Sequence, residues 1–178
     1  SIKLMCESDI VFYPKDILRQ PARDVTDVFD SEVVETIERL TKTMAAFDHC
    51  VGLAANQIGS DLNIFVADAS KNKRSISEHG FVVVVNPRIQ LGNERKTSRE
   101  GCMSVPDLTG NVSRALSVKL EGLDGNGKPI ELEAKDFEAR VFQHEVDHLL
   151  GKVFLDRVSS ARDVFARITY REPGNKNS

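Results

Sequence analysis

The sequence predicts an α+β fold in which small antiparallel sheets pack around a central helix carrying the motif His144-Glu145-Val146-Asp147-His148. Two observations lead to this class. Apolar residues recur at helical spacing over residues 31–47 and again over residues 136–150. Between these two segments, apolar and polar residues alternate in several places, as they do in β-strands. Because the strands are grouped between the helices, the order favours α+β over a wound parallel sheet.

The first half of the chain predicts one helix and two strands. Ser31 is the expected N-cap of the helix over residues 31–47, because its hydroxyl can accept a backbone hydrogen bond there. β-branched and aromatic residues predict strands over residues 63–67 and 81–85. Pro87 is expected to end the second strand, since proline has no N–H to give to a sheet.

The second half predicts a hairpin followed by the central helix. Residues 116–120 and 130–134 alternate between apolar and polar, and Asp124-Gly125-Asn126-Gly127 between them is typical of a hairpin turn. The helix over residues 136–150 is expected to end at Gly151, because glycine readily adopts the left-handed conformation of a helix end.

The composition is that of one compact domain. The chain has 178 residues, of which 40% are apolar and 29% charged, and neither a linker nor a repeat divides it. We therefore expect residues 1–178 to form a single domain with its core over residues 10–158. A short helix over residues 161–170 and a frayed tail over residues 172–178 are predicted to follow.

Charge, hydropathy and cysteine count exclude several classes of protein. A net charge of −3 without a lysine and arginine run argues against nucleic acid as a direct substrate. No apolar stretch approaches the roughly 20 residues that span a bilayer, so no membrane partner is expected. The first residues lack a signal peptide, and Cys6, Cys50 and Cys102 are too few for a disulfide framework. The bacterial cytoplasm is the expected compartment, or an organelle if a transit peptide has been removed.

The central motif can supply part of a metal site. Residues four apart on a helix lie about 40° apart around its axis, so His144 and His148 can reach one ion. Glu145 can then act as general base towards a water on that ion. The alternative interpretation is a solvent-exposed helix face that has this pattern of residues by chance. However, Phe137 and Val141 precede His144 on the same face and indicate that the histidines point inward.

A catalytic site of this kind usually has three protein ligands, and the third has several possible sources. In the metzincin pattern a histidine follows six residues after the second, but Phe154 stands there. In the gluzincin pattern a later carboxylate completes the site, for which Asp163 and Glu172 are the candidates. Cys102 is the remaining source, although a lone cysteine is commonly a small buried apolar residue.

The segment Val51-Gly52-Leu53-Ala54-Ala55-Asn56-Gln57-Ile58-Gly59 has small residues that allow another chain to pack closely. Gln57 can donate an amide N–H to a developing oxyanion. A tight crossing in the core with an exposed glutamine explains the same pattern, so this segment alone does not indicate a reaction.

Together, three segments resemble the signature motifs of the peptide deformylase family, in the same order. VGLAANQ resembles the first motif, although Cys50 stands where the family has a further glycine. Glu100-Gly101-Cys102-Met103-Ser104 resembles the second, with methionine in place of leucine. QHEVDHLLG, residues 143–151, matches the third throughout. The similarity extends over most of residues 10–158.

The resemblance implies a metal-dependent hydrolase that removes the formyl group from formyl-methionyl nascent polypeptides, at the ribosome. Its cofactor would be one divalent ion, Fe(II) in the cell, with Zn, Ni or Co possible in purified protein. A metal-bound water would attack the formyl carbon with Glu145 as general base and acid, and the Gln57 amide and Met103 backbone N–H would hold the oxyanion. The implied metal ligands are Cys102, His144 and His148.

Methionine selectivity requires an apolar slot beside the ion. Val51, Phe137 and Val141 are the candidates, and ordinary core packing is the competing explanation for them. The substrate backbone is expected to pair with the edge at Val51 and Gly52 as an added strand. Cys50 adds a side chain that the family motif lacks, so its thiol either narrows the entrance or points away from it.

Two other functions stay open at this point. A zincin-type endopeptidase would share the two histidines and Glu145 but would draw its third ligand from the C-terminal region. A non-catalytic metal- or peptide-binding module of the same fold is the second alternative, which the presence of Glu145 and Gln57 disfavours.

Overall fold

The structure, a computed structural model, describes residues 10–167. Within that range, two α-helices, α1 (Ser31–Ala46) and α2 (Asp136–Leu149), accompany eight strands and several short 3-10 turns. The strands are β1 (Gly52–Ala54), β2 (Ile64–Asp68), β3 (Phe81–Leu91), β4 (Arg95–Cys102), β5 (Val105–Ala115), β6 (Ser117–Leu123), β7 (Pro129–Lys135) and β8 (Val164–Ala166). The predicted α+β class is confirmed.

The strands form two antiparallel sheets. Five of them make a sheet in the order β1-β2-β3-β6-β7, in which β1 is an edge strand. The other three make a second sheet in the order β4-β5-β8, built on the long β4–β5 hairpin. Helix α2 contacts strands of both sheets, which makes it the central element.

The five-stranded sheet lies between the two helices, and the side chains of β2 pack against a different helix on each face. Ile64 and Val66 belong to an apolar cluster shared with α1, whereas Phe65 and Ala67 belong to a cluster shared with α2. Successive side chains of a strand point to opposite faces, so a run of apolar residues is what a strand covered on both faces requires.

Helix α2 ends where the sequence predicts. Gly151 has a φ of +81°, and its N–H donates to the His148 carbonyl at 3.0 Å. A Cβ at this position would lie 2.8 Å from the carbonyl carbon of Arg19. Glycine is therefore required both by the left-handed backbone and by the close approach of another segment.

Two predicted boundaries differ from the structure. The cap of α1 is Asp30, whose carboxylate accepts from the Glu32 N–H at 3.2 Å, and Ser31 is the first helical residue. Strand β3 does not end at Pro87 but continues to Leu91. Its register with β6 shifts between Val85 and Arg88, and this bulge accommodates the proline.

The predicted C-terminal helix is wrong over residues 161–166. A 3-10 turn occupies Ala161–Asp163, and β8 follows and pairs with Leu108 to Gly110 of β5. Because β5 would otherwise have an open edge, Val164 and Phe165 gain more from pairing there than from an isolated helical turn. Residues 168–170 and the tail over 172–178 lie outside the described residues. Neither α-helix within residues 10–167 combines the length and the apolar composition of a membrane-spanning segment.

Candidate active site

Three side chains meet where the sequence predicts a metal centre. Cys102 is the last residue of β4, and His144 and His148 lie one turn apart on α2. One ligand atom from each lies within 4.8 Å of the others, and Cys102 Sγ is 3.3 Å from His148 Nε2. A zinc ion binds a cysteine sulfur at about 2.3 Å and a histidine nitrogen at about 2.1 Å. Three ligand atoms this close together can therefore bind one ion.

A break in the β4–β5 hairpin brings Cys102 to the helix. The register shifts between Gly101 and Cys102, so that Cys102 pairs with Val105 across a two-residue turn. Cys102 is buried there beside apolar residues of β5 and the turn at Phe154. Burial and ligation are thus compatible for this cysteine, whereas the sequence presented them as alternatives.

Glu100 orients the first histidine. Its Oε1 lies 2.9 Å from His144 Nδ1, which leaves the other ring nitrogen for an ion. Glu100 also accepts two hydrogen bonds from Arg114, at 2.9 and 3.0 Å, and one from Arg140 at 2.6 Å. Burial opposes ionisation, but the hydrogen bonds from His144 and Arg114 hold the pKa of Glu100 well below its usual range.

The second histidine is fully buried. Burial, followed by the charge of His144, lowers the pKa of His148 well below its usual value. The ring is therefore neutral, which is the form that binds a metal ion. Asn56, from the 3-10 turn after β1, donates through Nδ2 to the His148 carbonyl and so ties the end of α2 to that turn.

Glu145 has a carboxylate oxygen that is buried without a partner. Its side chain belongs to a residue only 2% exposed, and among residues 10–167 nothing hydrogen-bonds to its Oε2. Burial raises the pKa of Glu145 to about 7, although the charge of His144 opposes the rise. A buried, unpaired carboxylate is costly, and such groups concentrate at functional sites.

Gln57 points its amide nitrogen at the same centre. The Ala54 N–H donates to Gln57 Oε1 at 3.0 Å, which fixes the orientation of the amide. Gln57 Nε2 then donates to Ser104 Oγ at 3.1 Å and to Cys102 Sγ at 3.5 Å. Met103 lies between these last two residues in the turn that joins β4 to β5.

A pocket of about 720 Å³ opens onto these groups. Apart from His148, which is fully buried, it is lined by all the residues predicted for the site: Val51, Gly52, Gln57, Cys102, Met103, Phe137, Val141, His144 and Glu145. Val141 is also part of the core cluster around α2, and Val51 and Phe137 are partly buried against it. Lining the pocket and packing in the core are therefore compatible for these three.

Cys50 lines the pocket, but its side chain is buried. The thiol donates to the Gly52 carbonyl at 3.2 Å, and the residue is 4% exposed within the α1 cluster. Its φ is not positive, so the side chain causes no backbone strain. Burial raises the pKa of the Cys50 thiol to about 12, which makes it unreactive near neutral pH.

The sequence analysis assigns no supporting role to Arg140, Asp147 or Arg157, which join the network around the Glu100–Arg114 ion pair. Asp147 accepts hydrogen bonds from Arg114 and Arg157, which extends the ion network around Glu100. Arg140, His144 and Asp147 follow one another four and three residues apart on α2. That spacing places charged residues on one helix face and could have indicated a buried network.

The described residues contain no third metal ligand of the kind that a zincin-type endopeptidase would draw from the C-terminal region. Asp163 accepts a hydrogen bond from Asn111 at 3.3 Å and does not belong to the group of possible ligands around the two histidines. Phe154 is a buried apolar residue. Glu172 lies outside the described residues.

Comparisons with known proteins agree with this geometry. The sequence model of the polypeptide deformylase family matches residues 7–164. The chain is 41% identical to the peptide deformylase of Aquifex aeolicus over 92% of this chain and 95% of the relative. It is 39% identical to peptide deformylase 2 of Vibrio cholerae over 91% and 92%, respectively.

Solved structures agree as well. The crystal structure of the Thermotoga maritima peptide deformylase has a TM-score of 0.75 and 36% identity, covering 85% of this chain and 97% of the other. The peptide deformylase of Synechococcus elongatus, solved in complex with actinonin, has a TM-score of 0.76 and 34% identity, covering 86% and 80%.

Proposed function

The chain belongs to the peptide deformylase family, and on that premise we propose that Cys102, His144 and His148 hold its metal ion while Glu145 carries the proton. It is a metal-dependent hydrolase that removes the N-terminal formyl group from nascent polypeptides. The observation that supports the residue assignment is the convergence of one sulfur and two imidazole nitrogens within 4.8 Å, beside a pocket that Glu145 lines.

Glu145 is the proton carrier. When bound, a divalent ion supplies Lewis acidity and makes hydroxide available from water at neutral pH. Glu145 Oε2 takes the proton from the attacking water and delivers it to the leaving amine. Glu145 lines the pocket and its Oε2 has no partner among residues 10–167, so this oxygen is available to accept the proton of a water at the centre.

Gln57 and Met103 stabilise the oxyanion that forms on the formyl oxygen. The Ala54 N–H holds the Gln57 amide so that Nε2 already faces Cys102, and donation to the substrate replaces only the long 3.5 Å contact with Cys102 Sγ. The Met103 backbone N–H, in the turn directly after Cys102, is the second donor. Removal of one such donor typically costs about 100- to 1000-fold in rate.

The substrate is a polypeptide that begins with formyl-methionine. Val51, Phe137 and Val141 form the apolar wall that receives the methionine side chain. The peptide backbone adds to the sheet at Gly52, an assignment supported by the position of β1 at the edge of the five-stranded sheet.

Fe(II) is the ion used in the cell, and Zn, Ni or Co replace it in purified protein, since one thiolate and two imidazoles suit all of these ions. The protein acts on chains emerging from the ribosome, in the bacterial cytoplasm or in an organelle. No nucleic acid or membrane takes part directly. The described residues 10–167 act as one domain.

Anaerobic purification with metal analysis, followed by a formyl-Met-peptide assay beside a casein assay, tests the proposal. About one ion per chain and release of formate without cleavage of casein are the expected results. The Synechococcus elongatus relative was solved with actinonin, so we expect actinonin to inhibit. Cleavage of casein, or full activity after the ion is removed, would contradict the assignment.

A further inference from the structure

The outer part of the active-site pocket is basic. Six lysine and arginine side chains line the pocket, of which Arg140 is buried and paired with Glu100. We use the term basic rim for the other five: Lys71, Lys73, Arg74, Arg99 and Arg167. Among residues 10–167, Asp48 is the one carboxylate lining the pocket besides Glu100 and Glu145, which are both buried. The whole chain carries a net charge of −3, so the sign of the charge around this pocket is opposite to that of the protein as a whole.

Arg99 is held in place by neutral partners. Its Nε donates to Asn111 Oδ1 at 3.1 Å, its Nη1 donates to Thr109 Oγ1 at 3.3 Å, and its guanidinium lies 3.7 Å from the centre of the Phe165 ring. No carboxylate within the described range forms an ion pair with it. A charge that is both oriented and uncompensated binds an anion with little loss of conformational entropy.

The other members of the basic rim come from two separate segments. Lys73 and Arg74 are exposed in the chain that follows β2, and neither forms an ion pair with a described residue. Lys71 donates to the Met44 and Phe47 carbonyls at 2.8 Å, so its ammonium has a fixed position. A Cβ at Gly101 would lie 2.9 Å from Arg167 Nη1, which places that guanidinium over the residue before Cys102.

A substrate must pass this rim. With the formyl group at the metal centre and methionine against Val51, the following residues extend along the β1 edge at about 3.3 Å each. Their side chains then lie in the pocket that Arg99, Lys73 and Arg74 also line. We propose that this deformylase prefers substrates with an acidic residue shortly after the formyl-methionine, an inference that rests on the proposed function. The basic groups border a concave pocket on an acidic protein, which favours a peptide over a nucleic acid as the anion.

The test compares formyl-Met peptides that carry aspartate or isosteric asparagine at the second, third or fourth residue. We expect kcat/KM to be about two- to fivefold higher for aspartate at one or more positions, mainly through a lower KM. The preference should shrink as salt is raised from about 0.05 to 0.5 M, because exposed charges are screened.

Substitutions then identify which basic side chains cause the preference for aspartate. Arg99→Gln, and separately Lys73→Gln with Arg74→Gln, should bring the aspartate-to-asparagine ratio close to one. Arg95→Gln is the matched control. Arg95 lies on the same strand and bonds to Ser113, but it does not line the pocket, so its loss should leave the ratio unchanged.

Equal kcat/KM for both peptides at every position in the wild type would overturn the inference and leave the proposed function intact. Absence of turnover for every peptide would refute the proposed function and this inference with it. If the same substitutions weaken binding of an RNA oligonucleotide without changing the peptide ratio, the rim is a nucleic-acid surface and the inference is wrong.

Discussion

Replacement of Gly52 by alanine should displace the proposed proton carrier. A Cβ at this position would lie 2.9 Å from Cγ, Cδ and Oε2 of Glu145. Non-bonded carbon atoms pack at about 3.5–4.0 Å, so the two groups must separate by more than about 0.5 Å. Glu145 is buried and cannot move aside into solvent, so its carboxylate must shift within the pocket.

The size of the effect follows from how closely catalytic groups must be placed. A tolerance of about 0.5 Å is typical, and a displacement of about 1 Å can cost roughly 100-fold in rate. We therefore expect Gly52→Ala to lower kcat about 10- to 100-fold. Bound metal should stay near the wild-type amount, because the substitution does not touch Cys102, His144 or His148.

Steady-state turnover of a formyl-Met peptide and metal analysis measure these quantities. Gly125→Ala is the control, since its Cβ would meet only Val83 Cγ1 at 3.8 Å and Ile37 Cδ1 at 3.9 Å, which are ordinary contacts. A folded Gly52→Ala protein with kcat within threefold of wild type would refute the reasoning. A rise in KM with kcat unchanged would instead show that Gly52 acts only through the substrate strand.

Three further predictions concern single side chains. Glu145→Gln should keep its metal and lose nearly all turnover, because the amide cannot accept the proton; activity within a few-fold of wild type would remove Glu145 from its role. Cys102→Ala should reduce bound metal markedly, and a stable, metallated and active variant would contradict the ligand assignment. Cys50→Gly should lower the thermal midpoint, because it removes a buried side chain and adds backbone freedom worth about 0.5–1 kcal/mol. Its KM should change less than about twofold because the side chain is buried in the α1 cluster, and a lower KM in peptide assays would show instead that the thiol narrows the entrance.

Local patterns predicted the elements that depend on local spacing. The period of α2, its end at Gly151 and the turn at Asp124 to Gly127 all follow from neighbouring residues, and the structure agrees with each. The strand pair β4–β5 was not predicted. Residues 95–102 have the sequence RKTSREGC, in which apolar and polar residues do not alternate. This strand forms because it pairs with β5 in a hairpin, and not because one of its faces is buried in the core.

Edge pairing also explains the wrong helix at the C-terminus. The sequence alone predicts a helix there, because the apolar residues Val164, Phe165 and Ile168 recur at helical spacing. Residues 164–166 form a strand because β5 has an open edge there. That edge is formed by residues more than fifty positions earlier in the chain. No window of sequence around 161–170 contains that information.

The reactive groups are recognisable in the sequence: two histidines one helical turn apart, a glutamate between them, and a cysteine and a glutamine in motifs that resemble one family. How these groups meet depends on the packing of the elements. The hairpin break brings Cys102 to α2, Glu100 fixes the ring of His144, and Gly52 leaves room for Glu145. Each contact joins segments distant along the chain, so its geometry depends on packing between elements and not on the periodicity within any one of them.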